Sequence, residues 1–199
     1  TNGGSSWTTG TGTSFTLEAG SYAAGAVQVR QTDGAGNNSA AASLTSALTV
    51  DLTGPAAATL AVASDTGSGA SDGITKDGSV AVSGLEEGAT WEFSTDGGTT
   101  WAAGTGTSIA LAAGTYAAGT VQVRQTDAAG NLGTAASLGA VTVDTSAAAP
   151  TLALASDTGS SGTDGFTLTG TVQVSTPEAS ATWEFSSNGG TTWAAGSGS

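Results

Sequence analysis

The chain has 199 residues and sets three Lys and Arg against 16 Asp and Glu. That balance leaves almost nothing to neutralise phosphates, which excludes nucleic acid as a partner and an anionic membrane surface with it. Cysteine and histidine are both absent, which removes disulfides, thiolate metal sites, a Cys nucleophile, and the commonest general base. No apolar run approaches the roughly 18 residues of a membrane span.

In chain order, Trp7 comes first. Tyr22 then precedes an alternating strand, Val27-Gln28-Val29, where a tyrosine corner is expected. Asp33 sits in the loop after that strand, and Thr49-Val50-Asp51 closes the stretch. Pro55 fits poorly inside a sheet, so a linker is expected near 51–56. Asp65 and Asp72 then fall in a long Gly-rich loop, followed by the strand Val80-Ala81-Val82 and a loop with Glu86-Glu87. Trp91-Glu92-Phe93 alternates again, with Trp91 expected in the core. Asp96-Gly97-Gly98 supplies the positive φ of a hairpin turn before Trp101. Tyr116, Val121-Gln122-Val123, Asp127 and Val141-Thr142-Val143-Asp144 complete the set, and Pro150 marks a second linker near 144–150. No segment shows a helical period.

Whole phrases recur. Thr90-Trp91-Glu92-Phe93-Ser94 returns as Thr182-Trp183-Glu184-Phe185-Ser186, and residues 121–127 copy 27–33. Trp7, Trp101 and Trp193 mark one position at intervals of 94 and 92 residues. That period is too long for a solenoid and suits one immunoglobulin-sized β-sandwich of some seven strands. The expected organisation is the C-terminal half of a repeat at 1–53, a complete repeat at 54–147 and the N-terminal half of a repeat at 148–199, all antiparallel β. Leu, Val, Ile and Phe make up only about 15% of the chain, below the roughly 20% that with high charge signals disorder. Because these residues fall on the alternating segments, a thin core is expected in place of disorder.

The 65–73 loop, the Thr90–Ser94 strand phrase, the Asp96–Trp101 hairpin and the Thr126-Asp127-Ala128-Ala129-Gly130-Asn131 loop resemble bacterial immunoglobulin-like extender repeats. These occur in very large repeats-in-toxin-type adhesins and biofilm-associated surface proteins. The resemblance implies tandem sandwiches, calcium at the junctions, an extracellular place on the bacterial cell surface, and a role in holding a distal ligand-binding domain away from the cell. Two stretches depart from the repeat: Glu86-Glu87 becomes Glu178-Ala179, and Lys76-Asp77 becomes Leu168-Thr169.

Acids recur at matched positions: Asp33 with Asp127, Asp51 with Asp144, Asp65 with Asp157, Asp72 with Asp164, and Glu86 with Glu178. Threaded in sandwich order, Asp65, Asp72 and Asp144 share one pole. Asp127 and Glu86 share the other, toward the preceding repeat. Calcium accepts six to eight oxygens from flexible loops, so these ten residues are the expected ligands. An Asp in a turn can equally serve only its own turn. Glu92 points outward opposite Arg124 and is assigned to a cross-strand ion pair. An enzyme is not expected, since no acid–base set converges. A carbohydrate- or ice-binding module is the alternative, although few aromatics are spare and no regular Thr array exists. The expected partners are neighbouring identical repeats, with the half repeats of two molecules completing each other head to tail.

Overall fold

The computed structural model describes residues 3–67, 69–175, 178 and 181–197. The chain divides into two compact units, Thr1–Asp144 and Thr145–Ser199. Among the described residues every regular element is a β-strand.

The first unit opens with β1 (Gly20–Tyr22), β2 (Gln28–Val29), β3 (Ala42–Ser43) and β4 (Leu48–Val50). These make two isolated antiparallel pairs, β1 with β4 and β2 with β3. Ten strands follow: β5 (Thr59–Val62), β6 (Ile74–Thr75), β7 (Ser79–Ser83), β8 (Thr90–Ser94), β9 (Ala102–Ala103), β10 (Ser108–Ala110), β11 (Gly114–Tyr116), β12 (Gln122–Thr126), β13 (Ala136–Ser137) and β14 (Val141–Val143). They exceed the seven expected because three of them, β6, β9 and β13, are two-residue pieces at sheet edges.

Three sheets result, in the orders β10-β7-β5, β13-β12-β8-β9 and β11-β14-β6. All pairings are antiparallel except β14 with β6. The longest strands alternate as their sequences require: Val80 and Val82 point inward from β7, Val123 and Gln125 from β12, Val141 and Val143 from β14. The five valines meet Ala58, Trp91, Ile109, Leu111, Val121 and Leu138 in one core drawn from all three sheets. The arrangement is all-β and consistent with a β-sandwich. Low aliphatic content suffices because nearly every aliphatic residue of 54–144 on an inward position is used.

Local chemistry fixes the frame. Gly97 and Gly98 take φ values of 75° and 87° in the hairpin after β8, a region that costs glycine nothing. Tyr116 donates its hydroxyl to the Ala112 carbonyl at 3.1 Å, and Tyr22 does the same to Glu18 at 2.8 Å. Both are the expected tyrosine hydrogen bonds to backbone four residues upstream. Arg124 lies opposite Glu92 in the β12–β8 register, with its guanidinium 2.8 Å from Glu92 Oε2. The pair is partly exposed and contributes under about 1 kcal/mol. Its cation also covers the Trp101 ring at 4.1 Å, a contact the strand alternation alone did not announce.

The second unit has β15 (Thr151–Leu154), β16 (Val172–Ser175), β17 (Glu184–Phe185) and β18 (Ala194–Ala195), paired β15 with β16 and β17 with β18. Like sequences adopt like registers. Thr151 faces Ser175 as Thr59 faces Ser83, and Glu184 faces Ala195 as Glu92 faces Ala103. In the first stretch, Gln28 faces Ser43 as Gln122 faces Ser137.

Candidate cation-binding loops

The loop between β5 and β6 is built around Thr75, which is 1% exposed. Its hydroxyl donates to the Ser64 carbonyl at 2.8 Å and accepts the Asp77 amide at 3.0 Å. The chain therefore curls back on itself, and Asp65 accepts the Gly73 amide through Oδ2 at 3.1 Å. Asp72 accepts the next amide, that of Ile74, through Oδ1 at 2.9 Å. Asp144 reaches the same place from β14, its amide donating to the Thr75 carbonyl at 2.9 Å. Asp65, Asp72 and Asp144 are thus each tied to the loop around Thr75, Asp144 through its backbone amide, without their carboxylates meeting in one cluster.

One atom in this loop stands out. Asp65 Oδ1 is buried and accepts no hydrogen bond among the described residues. The second unit repeats the loop closely. Gly165 donates to Asp157 Oδ2 at 3.0 Å, Phe166 to Asp164 Oδ1 at 3.1 Å, and Thr167 to the Ser156 carbonyl at 2.8 Å. Asp157 Oδ1 is again buried without a donor. A buried carboxylate oxygen without a donor costs free energy unless something positive compensates it.

At the other end, Asp127 holds its own loop. Oδ1 accepts the Ala129 and Asn131 amides at 2.9 and 2.8 Å, and Oδ2 accepts Asn131 Nδ2 at 2.9 Å. The Asn131 side chain in first place, with backbone amides behind it, lowers the Asp127 pKa. Asn131 Nδ2 also donates to the Asp51 carbonyl at 3.1 Å, so Asp51 and this loop are tied within the first unit. The Asp51 carboxylate accepts the Thr53 amide and hydroxyl at 3.0 and 2.8 Å. Asp33 mirrors Asp127, accepting Ala35, Asn37 and the Asn37 side chain, which lowers its pKa chiefly through Asn37.

Glu86 lies at this end too, its amide donating to Gln125 Oε1 at 2.9 Å. Glu178 in the second unit accepts the Ala148 amide through Oε1 at 2.8 Å. Among the described residues no three carboxylates converge as a ready-made metal cluster. The physical reason is that most of these acids bond to their own loop amides. A cation at these loops would therefore combine single carboxylates with backbone carbonyls.

Two features escaped the sequence reading. Gln125 is 1% exposed and bridges three backbone groups, donating to the Ala56 and Gly84 carbonyls at 2.6 and 3.1 Å besides accepting from Glu86. Its signal was parity: it shares the inward side of β12 with Val123. The other is Asp96, whose oxygens accept the Ser94 hydroxyl at 2.7 Å and the Thr100 amide at 2.9 Å. The Ser94 and Thr100 side chains hold its pKa down to about 2, from an ordinary 3.8. A carboxylate with a depressed folded-state pKa stabilises fully above its unfolded value and loses that contribution as pH falls through the folded one. The hairpin should therefore weaken between about pH 4 and pH 2. Asn188 stands at the equivalent position and makes the same turn contacts. Asp96→Asn should accordingly keep the turn and flatten acid unfolding in this range, measured by circular dichroism; an unchanged acid limb would contradict the assignment.

The chain matches no known protein-family pattern and no curated protein.

Proposed function

We propose that this chain is a structural extender of a secreted bacterial adhesin. In this reading tandem immunoglobulin-like sandwiches, rigidified by calcium, project a distal ligand-binding domain from the cell surface. The observation that carries the reading is the buried, donorless carboxylate oxygen of Asp65, repeated at Asp157. An acidic chain with almost no basic side chains has few internal cations to offer such an oxygen, whereas calcium prefers carboxylate and carbonyl oxygens on flexible loops. Asp65 would hold the ion in the 54–144 segment through its donorless oxygen together with backbone carbonyls of its loop, and Asp157 would do the same in the second unit. Asp51, tied to the Asp127 loop through Asn131, marks where a linker is stiffened by hydrogen bonds already. The resemblance to extender repeats supports the cell-surface setting. A sugar platform at Trp101 is disfavoured, because Arg124 covers a face of its ring.

The test is a thermal melt of the protein in millimolar calcium and in chelator. Affinities of about 10⁻⁴ to 10⁻³ M are expected, as for extracellular modules. At 100 times the dissociation constant, one site adds about 2.7 kcal/mol. Asp65→Asn should abolish the calcium response of the 54–144 segment while leaving the chelator melt equal or higher, since it removes an uncompensated buried charge. Coincident melts in the two conditions would sink the calcium reading.

A further inference from the structure

Asn188 is followed by Gly189 in the turn between β17 and β18. The other Asn-Gly pair of the sequence, Asn2-Gly3, begins outside the described residues. Asn188 is exposed, as Asp96 is at the matching turn of the 54–144 segment. Its Oδ1 accepts the Ser186 hydroxyl at 2.9 Å and the Thr192 amide at 3.0 Å. Both donors stand at the oxygen on which negative charge collects when the side-chain carbonyl carbon is attacked. The nearest nucleophile along the chain is the Gly189 amide nitrogen, whose residue carries no Cβ to hinder approach. Nδ2, the group such an attack expels, donates to Thr192 Oγ1 at 2.8 Å.

The matching turn already holds a carboxylate. Asp96 Oδ1 accepts the Ser94 hydroxyl and the Thr100 amide at 2.7 and 2.9 Å, the same two donors that Asn188 meets. The difference lies in one hydroxyl. Thr100 Oγ1 donates to Asp96 Oδ2 at 2.5 Å, whereas Thr192 Oγ1 accepts from Asn188 Nδ2. A threonine hydroxyl can do either, so the turn takes an amide or a carboxylate by rotating a single O–H. The other described turn asparagines differ. Asn37 and Asn131 donate Nδ2 to the Asp33 and Asp127 carboxylates at 3.0 and 2.9 Å, and Asn38 and Leu132 follow them. A carboxylate in either place would stand against another, and like charges at that distance repel.

We propose that Asn188 is a self-modification site, deamidating through Gly189 to an aspartate that its turn retains. The Gly189 nitrogen bonds to Asn188 Cγ, the Cγ–Nδ2 bond breaks, and the proton of the Gly189 amide leaves with Nδ2 as ammonia. A cyclic imide results. Water then opens it: the hydroxyl joins Cγ and the remaining proton returns to the Gly189 nitrogen. The net change is amide and water to carboxylic acid and ammonia, with no redox partner. The acid ionises, so the turn gains a negative charge where Asp96 carries one in the middle segment. Opening at the backbone carbonyl instead gives isoaspartate, whose main chain runs through Cγ and cannot repeat the Asp96 contacts. None of this depends on the calcium reading.

The full chain is aged in mildly alkaline, heavy-oxygen water, once folded and once unfolded in urea, and mapped by peptide mass spectrometry. In the folded chain Asn188 should exchange its amide nitrogen for a heavy oxygen several-fold faster than Asn37 or Asn131. Hydroxylamine added during the conversion should cleave the chain between Asn188 and Gly189, the signature of the cyclic imide. Electron-transfer fragmentation should find a larger share of aspartate over isoaspartate in the folded chain than in urea. Ser186→Ala removes one donor from Oδ1, and should slow conversion several-fold in the folded chain while leaving the rate in urea unchanged. Asn188→Asp, the expected product, should melt with the parent chain. An Asn188 that keeps its amide when folded, while the urea-unfolded chain converts, would overturn the proposal by showing that the turn protects the amide. Equal aspartate shares in the two states, or a lowered melt of Asn188→Asp, would overturn the retention of the product.

Discussion

Replacing Gln125 by leucine should destabilise the 54–144 segment by about 4 kcal/mol, although leucine is close in size and apolar. Gln125 is 1% exposed, and its amide is the common partner of the Glu86 amide and the Ala56 and Gly84 carbonyls. These belong to the start of the segment, the turn after β7 and the loop before β8. Leucine would fill the space but strand one donor and two acceptors, at about 1–3 kcal/mol for each group left unsatisfied. The sum is reduced because the flanking residues are exposed, so water recovers part of the loss. An internal control exists. Gln31 occupies the equivalent place in the first stretch and is exposed. Gln31→Leu in dilute protein should change stability by no more than about 0.5 kcal/mol. Urea titration of both variants reads the difference, and equal midpoints would show that the bridge contributes nothing.

The contrast between these glutamines explains how far the sequence could be read. Period-two alternation located β7, β8, β12 and β14, because each places valine or tryptophan on one side with polar residues between them. It also set the Arg124–Glu92 register, since both residues alternate outward on neighbouring strands. The acids at the two ends of the middle segment followed from strand order alone. The parallel pairing of β14 with β6 did not. Ile74-Thr75 is two residues inside a Gly- and Asp-rich loop, too short for a period to show, and Thr75 is held by side-chain bonds to that loop. Gln125 was missed for the opposite reason. Its position in the alternation was visible, yet a polar side chain on an inward site has no meaning until its three partners are brought to it from residues 56, 84 and 86. The loop acids sit between these cases. Composition announced that the chain is rich in carboxylates, but only the fold separates Asp127, saturated by its own loop, from Asp65, which keeps an oxygen without a donor.

Gly104→Ala should destabilise the same segment by about 3 kcal/mol, the upper end for overpacking a core. A Cβ built on Gly104 would lie 2.2–2.3 Å from three ring atoms of Trp91. The backbone cannot retreat, because the Gly104 amide donates to the Trp91 carbonyl at 2.8 Å beside the short β8–β9 pairing. The indole cannot retreat either, since it is 8% exposed and packed in the central cluster with Val80, Val123 and Val141. Glycine is required here by the ring's close approach to the chain and not by a positive φ. Gly196 meets Trp183 in the same way, at 2.2–2.4 Å. Its alanine variant should leave the melt of the middle segment untouched, because both residues belong to the second unit. Differential scanning calorimetry, run on both variants, reads the difference. A Gly104→Ala protein that melts with the parent would mean that Trp91 is free to move, and that the core is looser than its burial implies.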